Sequence, residues 1–265
     1  MELLFNISDI AIITGDNTFK SKNDYLIDFW KKNYKTDFEK YKKLTQFIKE
    51  TDNDIISNIS SKNNVDISLD LQKCKSSTNI NDLQTIKKII LDKVSNLSEV
   101  DKKEITKSIT NVTNTKFGIK NEDDITKLYE SLSGNSIIKD NKYHKIKIFE
   151  TNFAKIFIGG KIDGIDYNKS LIIEVKNRMH KLFYTLKNYE KVQIMCYMYL
   201  FSCKKGHLVE AYKTKEKPLI NIIEVDFDEI YMNDILQKIL CFANFFCDFI
   251  NDHDSKINLL KIISI

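Results

Sequence analysis

Asp163, Glu174 and Lys176 have types and spacing suited to one kind of chemistry. They lie in Gly160-Lys-Ile-Asp-Gly-Ile-Asp-Tyr-Asn-Lys-Ser-Leu-Ile-Ile-Glu-Val-Lys176, where an acidic residue precedes Glu-x-Lys by about ten positions. Hydrolysing a phosphodiester requires bringing water to a polyanion and stabilising more negative charge. Hard divalent cations held by carboxylates do both. Residues 170–176 are β-branched and apolar, which predicts a buried strand. Side chains alternate along a strand, so Ile172, Glu174 and Lys176 share one face and Leu171, Ile173 and Val175 the other. Asp163 reaches the same cleft across a hairpin turning at Asp166-Tyr-Asn-Lys169, and the Val175 carbonyl offers an oxygen ligand between the carboxylates. A surface hairpin ending in a Glu-Lys pair is the plain alternative for the tripeptide alone.

Two further groups aim at this cleft. Glu122 opens a helix over 122–133 and stands i+3 from Ile125 and i+7 from Tyr129, on the face expected to be buried. An unpaired carboxylate there is costly, and a metal or Lys176 would relieve it. Gln193 and Tyr197 are i, i+4 on the helix after the strand, where a buried amide could meet a phosphate or a metal-bound water. Arg178, Lys181, Lys187 and Lys191 could track a phosphate backbone or line a solvated helix face. The four histidines are scattered, and there is no Walker-type loop, Gly-x-Ser-x-Gly or dinucleotide fingerprint.

The elements that position these residues follow from periodicity. Residues 7–32 read as two helices broken at Thr14-Gly15-Asp16-Asn17, and 35–50 continue helical. Residues 51–82, rich in Asn, Ser, Asp and Lys, read as a loop or irregular insertion, and 83–110 return to helix. The 122–133 helix has Asn121 as N-cap and Gly134 as its stop. Strands are expected at about 143–150, 153–162, 170–176, 207–213 and 219–226, with a helix over 185–202. A helix over about 228–251, with Phe242, Phe245, Phe246 and Phe249 as core, closes the chain.

At 265 residues, 42% hydrophobic and 29% charged, the chain suits one globular domain: a helical part over 1–115 and a core over 116–265. No stretch of 18 uncharged apolar residues and no signal-peptide pattern occurs, so the expected setting is intracellular, in the cytoplasm, away from membranes. The five cysteines lack Cys-x-x-Cys spacing and read as reduced thiols, buried at Cys196, Cys241 and Cys247. A net charge of +4 permits a nucleic-acid partner without requiring one, since A/T-rich coding inflates lysine.

Taken together these residues resemble the PD-(D/E)xK nuclease superfamily, and within it the YqaJ-type viral recombinase or lambda-exonuclease-like family. The pieces occur in the family's order. Ser8-Asp9-Ile10-Ala11 with Gly15-Asp-Asn-Thr-Phe19-Lys-Ser21 looks like its opening segment, and Phe117-Gly118 to Asn121-Glu122 like its Gly-x-x-x-Glu helix start. Asp163 and Glu174-Val-Lys176 look like its metal site, and Gln193 with Tyr197 like the Gln-x-x-x-Tyr helix shared with RecB-type nucleases. The resemblance implies a mixed α/β (α+β) fold with a restriction-endonuclease-like core, a central mixed sheet flanked by helices behind a helical N-terminal part. It implies Mg²⁺, with Mn²⁺ as a substitute, held by Asp163, Glu174 and the Val175 carbonyl. Lys176 would orient or deprotonate water, Glu122 would assist, Gln193 would fix the site, and Ser8, Arg178 and Tyr197 would contact DNA. The implied activity is a DNA exonuclease acting on duplex ends in viral or phage-type recombination or repair. The implied partners are DNA, a single-strand annealing protein and further copies of the chain. Departures are Ile162-Asp163 for the family's Pro-Asp and the lack of an arginine before Ser8, which weakens 5′-phosphate recognition. The alternatives are an endonuclease or single-strand exonuclease of the same superfamily, or a catalytically silent nucleic-acid-binding subunit.

Overall fold

The computed structural model describes residues 1–48, 50–77, 80–120, 122–178, 181–213 and 218–263; side chains at 75, 80–81, 114–120, 122–123 and 213 fall outside that description. The chain opens with strand β1 (Glu2–Asn6), which runs directly into helix α1 (Ile7–Thr14). Gly15, at φ 87°, ends α1 in the left-handed region, its N–H returning to the carbonyls of Ala11 and Ile12. Ser21 caps α2 (Lys22–Asn33) by accepting from the Asp24 N–H, and α3 (Lys35–Thr45) follows.

Residues 51–82 are not irregular as their polarity suggests. They form α4 (Asp52–Lys62), α5 (Ser68–Ser76) and the start of α6 (Ile80–Lys93). Thr51 and Asp54 make a reciprocal capping box at α4. Their few apolar residues are used efficiently. Ile56, Ile59, Ile67 and Leu71 join Leu83 and Ile90 of α6 and Ile105 and Ile109 of α7 (Glu99–Lys120) in a separate core. The expected helix over 83–110 is accordingly broken between α6 and α7. Helix α8 (Glu122–Ser133) stops at Gly134, at φ 65°, as its sequence predicts; Asn121 lies outside the described residues.

The strands form two mixed sheets. In the first, β3 (Lys155–Gly160) pairs parallel with β1 and antiparallel with β2 (His144–Glu150). β1 was not expected from sequence. In the second, β5 (Leu171–Arg178) lies between β4 (Gly164–Asp166) and β6 (Lys205–Lys213), and β7 (Pro218–Asp226) forms the far edge. β5 and β6 are parallel, joined by α9 (Asn188–Phe201) in a crossover of the usual strand–helix–strand kind. The chain continues through α10 (Glu229–Asn251) into α11 (His253–Ile263), so α10 is not the last helix.

The main core joins α1, α2, α9, α10 and α11 to the first sheet. Trp30 is fully buried, and its indole N–H donates to Asp37 at 2.9 Å. Phe246 and Phe249 of α10 are buried as expected, Phe242 is half-buried, and Phe245 faces outward. Cys196 and Cys247 are buried but Cys241 is exposed, because it lies on the outer side of α10. A third cluster packs Ile125 and Tyr129 of α8 against Leu171, Ile173 and Val175 of β5 and Val209 and Ala211 of β6. Ile172, from the other face of β5, belongs to the main core with α9. The period of two therefore gives β5 one apolar face and leaves its other face towards α9. Among the described residues no helix is long and apolar enough to cross a membrane.

Candidate active site

Beyond Ile172, the α9 face of β5 carries Glu174, Lys176 and Arg178 in succession. Glu174 is buried, and its Oε1 accepts a hydrogen bond from Lys176 Nζ at 2.8 Å. The same ammonium donates to Gln193 Oε1 at 3.1 Å, which fixes the amide of α9 above the strand. Asp163 enters from the other side. β4 pairs with β5 only through Gly164↔Ile173, Ile165↔Ile172 and Asp166↔Leu171. One step beyond the last rung, the Asp163 carboxylate replaces the missing backbone partner and accepts from the Val175 N–H at 2.8 Å. In an extended strand the N–H and C=O of one residue point to the same side, so the Val175 carbonyl faces that edge too.

Tyr197 is one helical turn beyond Gln193. Its hydroxyl donates to the Lys161 carbonyl at 2.6 Å, tying α9 to the chain just ahead of Asp163. Gly160 makes this approach feasible: a Cβ there would lie 2.8 Å from the Tyr197 oxygen. Asp166, also buried, has a different task. It accepts from the N–H groups of Asn168 and Lys169 and closes the hairpin turn.

The electrostatics are those of a crowded anionic site. Burial, then the nearby Asp163, push the Glu174 carboxyl well above the usual carboxylate range, against the pull of Lys176. Burial would lower the Lys176 pKa, but Glu174, Asp163 and Glu190 more than reverse it and keep the group a cation. Burial, with Glu174 and Asp163 beside it, raises the Tyr197 phenol.

Next along the strand, Arg178 is the only arginine in the chain. It is enclosed rather than presented outward. Its Nη1 pairs with Glu190 at 2.8 Å, its Nη2 with Glu210 at 2.6 Å, and its Nε donates to Glu210 at 2.8 Å. The guanidinium side chain is 10% exposed and both carboxylates are at 0%. Glu210 also accepts from the N–H groups of Phe183 (3.3 Å) and Tyr184 (2.9 Å) and from Asn221 Nδ2 (3.1 Å). Burial alone would raise the Glu210 pKa, yet these donors hold it below the ordinary value. The Glu190 carboxylate also accepts from the Lys187 N–H at 3.3 Å, ahead of α9.

The structure thus gathers Asp163, Glu174, Val175, Lys176, Gln193 and Tyr197 at one place. Ser8 is exposed on α1. Arg178 is next to the cluster but is held internally, so the reading of an outward phosphate contact is not matched by its placement. The Glu122 side chain lies outside the described residues. Glu190 and Glu210 were missed. The signals were a glutamate three residues before Gln193 on α9 and a glutamate inside the apolar alternation of His207-Leu-Val-Glu-Ala211.

No protein-family model matches the sequence, and no curated protein matches it. Similar solved structures exist. The chain spans 64% of the length of the protein SSO0001, matching it over 51% of its own length with 23% identity and a TM-score of 0.36. A phage-related exonuclease from Haemophilus somnus 129PT is similar over 95% of this chain and 96% of its own, with 11% identity and a TM-score of 0.46. An alkaline exonuclease from Laribacter hongkongensis is similar over 69% of this chain and 88% of its own, with 12% identity and a TM-score of 0.40. Exonucleases therefore stand among the solved structures to which this chain is similar.

Proposed function

We propose that this protein is a metal-dependent nuclease that hydrolyses phosphodiester bonds of DNA at the Asp163, Glu174 and Lys176 cluster, acting as an exonuclease in recombination or repair of the viral or phage type. The observation that carries the reading is the meeting of Asp163 and Glu174, close enough to raise the Glu174 pKa, beside a lysine and an amide. A buried carboxylate beside a second, half-buried one is costly unless a cation joins them. Among the described residues no group of three His, Cys, Asp or Glu side chains forms a metal cluster. Two carboxylates and a carbonyl nevertheless fit Mg²⁺, which commonly takes one or two carboxylates and completes its shell with water and substrate phosphate. Asp163, Glu174 and the Val175 carbonyl would hold it, with Mn²⁺ as a substitute. When bound, such an ion activates water and polarises the phosphoryl group.

The chain's own residues perform the rest. Lys176 supplies positive charge and a donor beside the attacking water, and Glu174 and Gln193 fix its direction. Tyr197 braces α9 against the Asp163 segment through the Lys161 carbonyl. Glu122 and Ser8 are proposed as an assisting carboxylate and a phosphate contact. The whole chain is proposed to act as one nuclease domain in the cytoplasm or at a site of viral replication, with duplex DNA ends, a single-strand annealing protein and further copies of itself as partners. The test is incubation of end-labelled linear duplex DNA with Mg²⁺. Release of nucleotides from one labelled end supports the exonuclease and gives its polarity. Internal fragments support an endonuclease on the same site. No cleavage of duplex or single strands with either metal overturns the reading in favour of a silent binding subunit.

A further inference from the structure

The Arg178 cluster raises a question that catalysis does not answer: what two fully buried carboxylates and the chain's one arginine are holding in place. The contacts lead outward to aromatic rings. Phe183 lies on the guanidinium, its ring centre 4.3 Å from Arg178 Cζ, and Lys187 Nζ is 4.9 Å from the same ring. Tyr184, next in sequence, has φ 58°, the left-handed region that a bulky residue avoids. It is kept there by its N–H to Glu210. Glycine or asparagine would meet that backbone demand at less cost, and the tyrosine ring is 66% exposed. Beyond α9, Phe19 is 80% exposed and meets Tyr189 edge-on at 5.7 Å. Tyr189 interacts with both Glu190 and Arg178, so Phe19 and Tyr189 border the clamp on its α9 side, while Phe183 and Tyr184 border it through Arg178 and Glu210. The clamp's Arg178 lies two residues past Lys176 on the same face of β5.

Exposed rings interleaved with lysines are the recurring way to hold unpaired bases, because every base has a face to stack and a phosphate to pair. Lys181 and Lys187 are exposed beside Phe183 and Tyr184, and Lys22 is exposed beyond Phe19. Lysine could not replace the clamp's centre, since only a planar guanidinium can bridge two carboxylates and stack on a ring at once. We propose that the Arg178–Glu190–Glu210 clamp presents Phe183 and Tyr184, with Phe19, as a ledge on which unpaired bases of single-stranded DNA stack beside the catalytic cluster. The position of the scissile phosphate in this arrangement rests on the nuclease reading; the binding of the bases does not. The substrate class that follows is DNA with unpaired nucleotides at the point of cleavage, whether a single strand or an opened duplex end.

The test is fluorescence anisotropy of a short labelled oligothymidylate without divalent cation, so that nothing is cleaved. Stacking losses predict that Phe19→Ala and Tyr184→Ala each weaken binding by about five- to tenfold or more. Tyr184→Phe should bind like wild type, and Arg178→Lys should weaken binding though it touches no base. Circular dichroism melts establish that each variant is folded; both ring positions are largely exposed. The proposal is overturned if wild type does not bind the oligonucleotide, or if folded Phe19→Ala and Tyr184→Ala bind within about twofold of it. The two readings fail separately. Cleavage by wild type with normal binding by the ring variants removes the ledge alone. Ring-dependent binding by a protein that cleaves nothing removes the nuclease alone.

Discussion

Two buried ionic clusters sit side by side on one face of β5, and they are built on opposite terms. In the first, Asp163 and Glu174 are pressed together with one lysine, and the Glu174 pKa is driven up. In the second, Glu190 and Glu210 share Arg178, two backbone N–H groups and Asn221 also donate to Glu210, and the Glu210 pKa is held down. Glu174 and Glu210 are both buried, so burial does not separate them; what each carboxylate faces does, a second carboxylate for Glu174 and several donors for Glu210. A carboxylate held by several donors fixes structure. One pressed against a second carboxylate stores an electrostatic demand that a cation and a substrate phosphate can meet. The neighbouring face of the same strand, with Leu171, Ile173 and Val175, meets no such demand and simply packs.

The largest effect that would break this contrast is catalytic. Lys176→Ala should lower DNA hydrolysis by about 10²–10³ or more, the scale of a lost charge-stabilising donor, while the protein stays folded. Single-turnover assays and thermal melts check both halves. Arg178→Ala should do the reverse in kind, destabilising the fold by about 3–5 kcal/mol because it leaves two buried carboxylates unpaired. Urea unfolding measures this. Gly160→Ala should cost about 1–3 kcal/mol, the scale of overpacking, and should lower activity by moving Tyr197 off the Lys161 carbonyl. The smallest effect is in pH. The folded pKa of Glu210 is below its ordinary 4.5, so its stabilisation is fully present above that value and is lost as pH falls through the lower folded value. The gap in melting temperature between wild type and Glu210→Gln should therefore close in acid. A gap that widens in acid would contradict the assignment.

The cluster around Glu174 and Lys176 was legible because it is written in local periods. The alternation of 170–176 assigns Glu174 and Lys176 to one face, and the i, i+4 spacing brings Gln193 and Tyr197 together. The clamp was not legible because its partners lie 12 and 32 residues beyond Arg178 and meet it only through the parallel crossover. From sequence, Arg178 therefore looked like a free cation. Strand β1 failed for a similar reason: Glu-Leu-Leu-Phe-Asn has no strand signature of its own, and its partner β3 begins at Lys155. The helices of 51–82 were hidden by composition. With so few apolar residues per turn they are held by burial in their own cluster, and the Thr51–Asp54 capping box was the local signal available.

The measurement that tests the central claim most directly is to take melting temperature and hydrolysis rate together for Glu174→Gln at pH 8. A raised folded pKa means that ionisation of Glu174 costs stability as pH rises above the ordinary value, so the neutral isostere should melt at or above wild type while hydrolysis is lost. A variant that melts well below wild type, or that still cleaves at the wild-type rate, would show Glu174 to be a structural carboxylate and contradict the account.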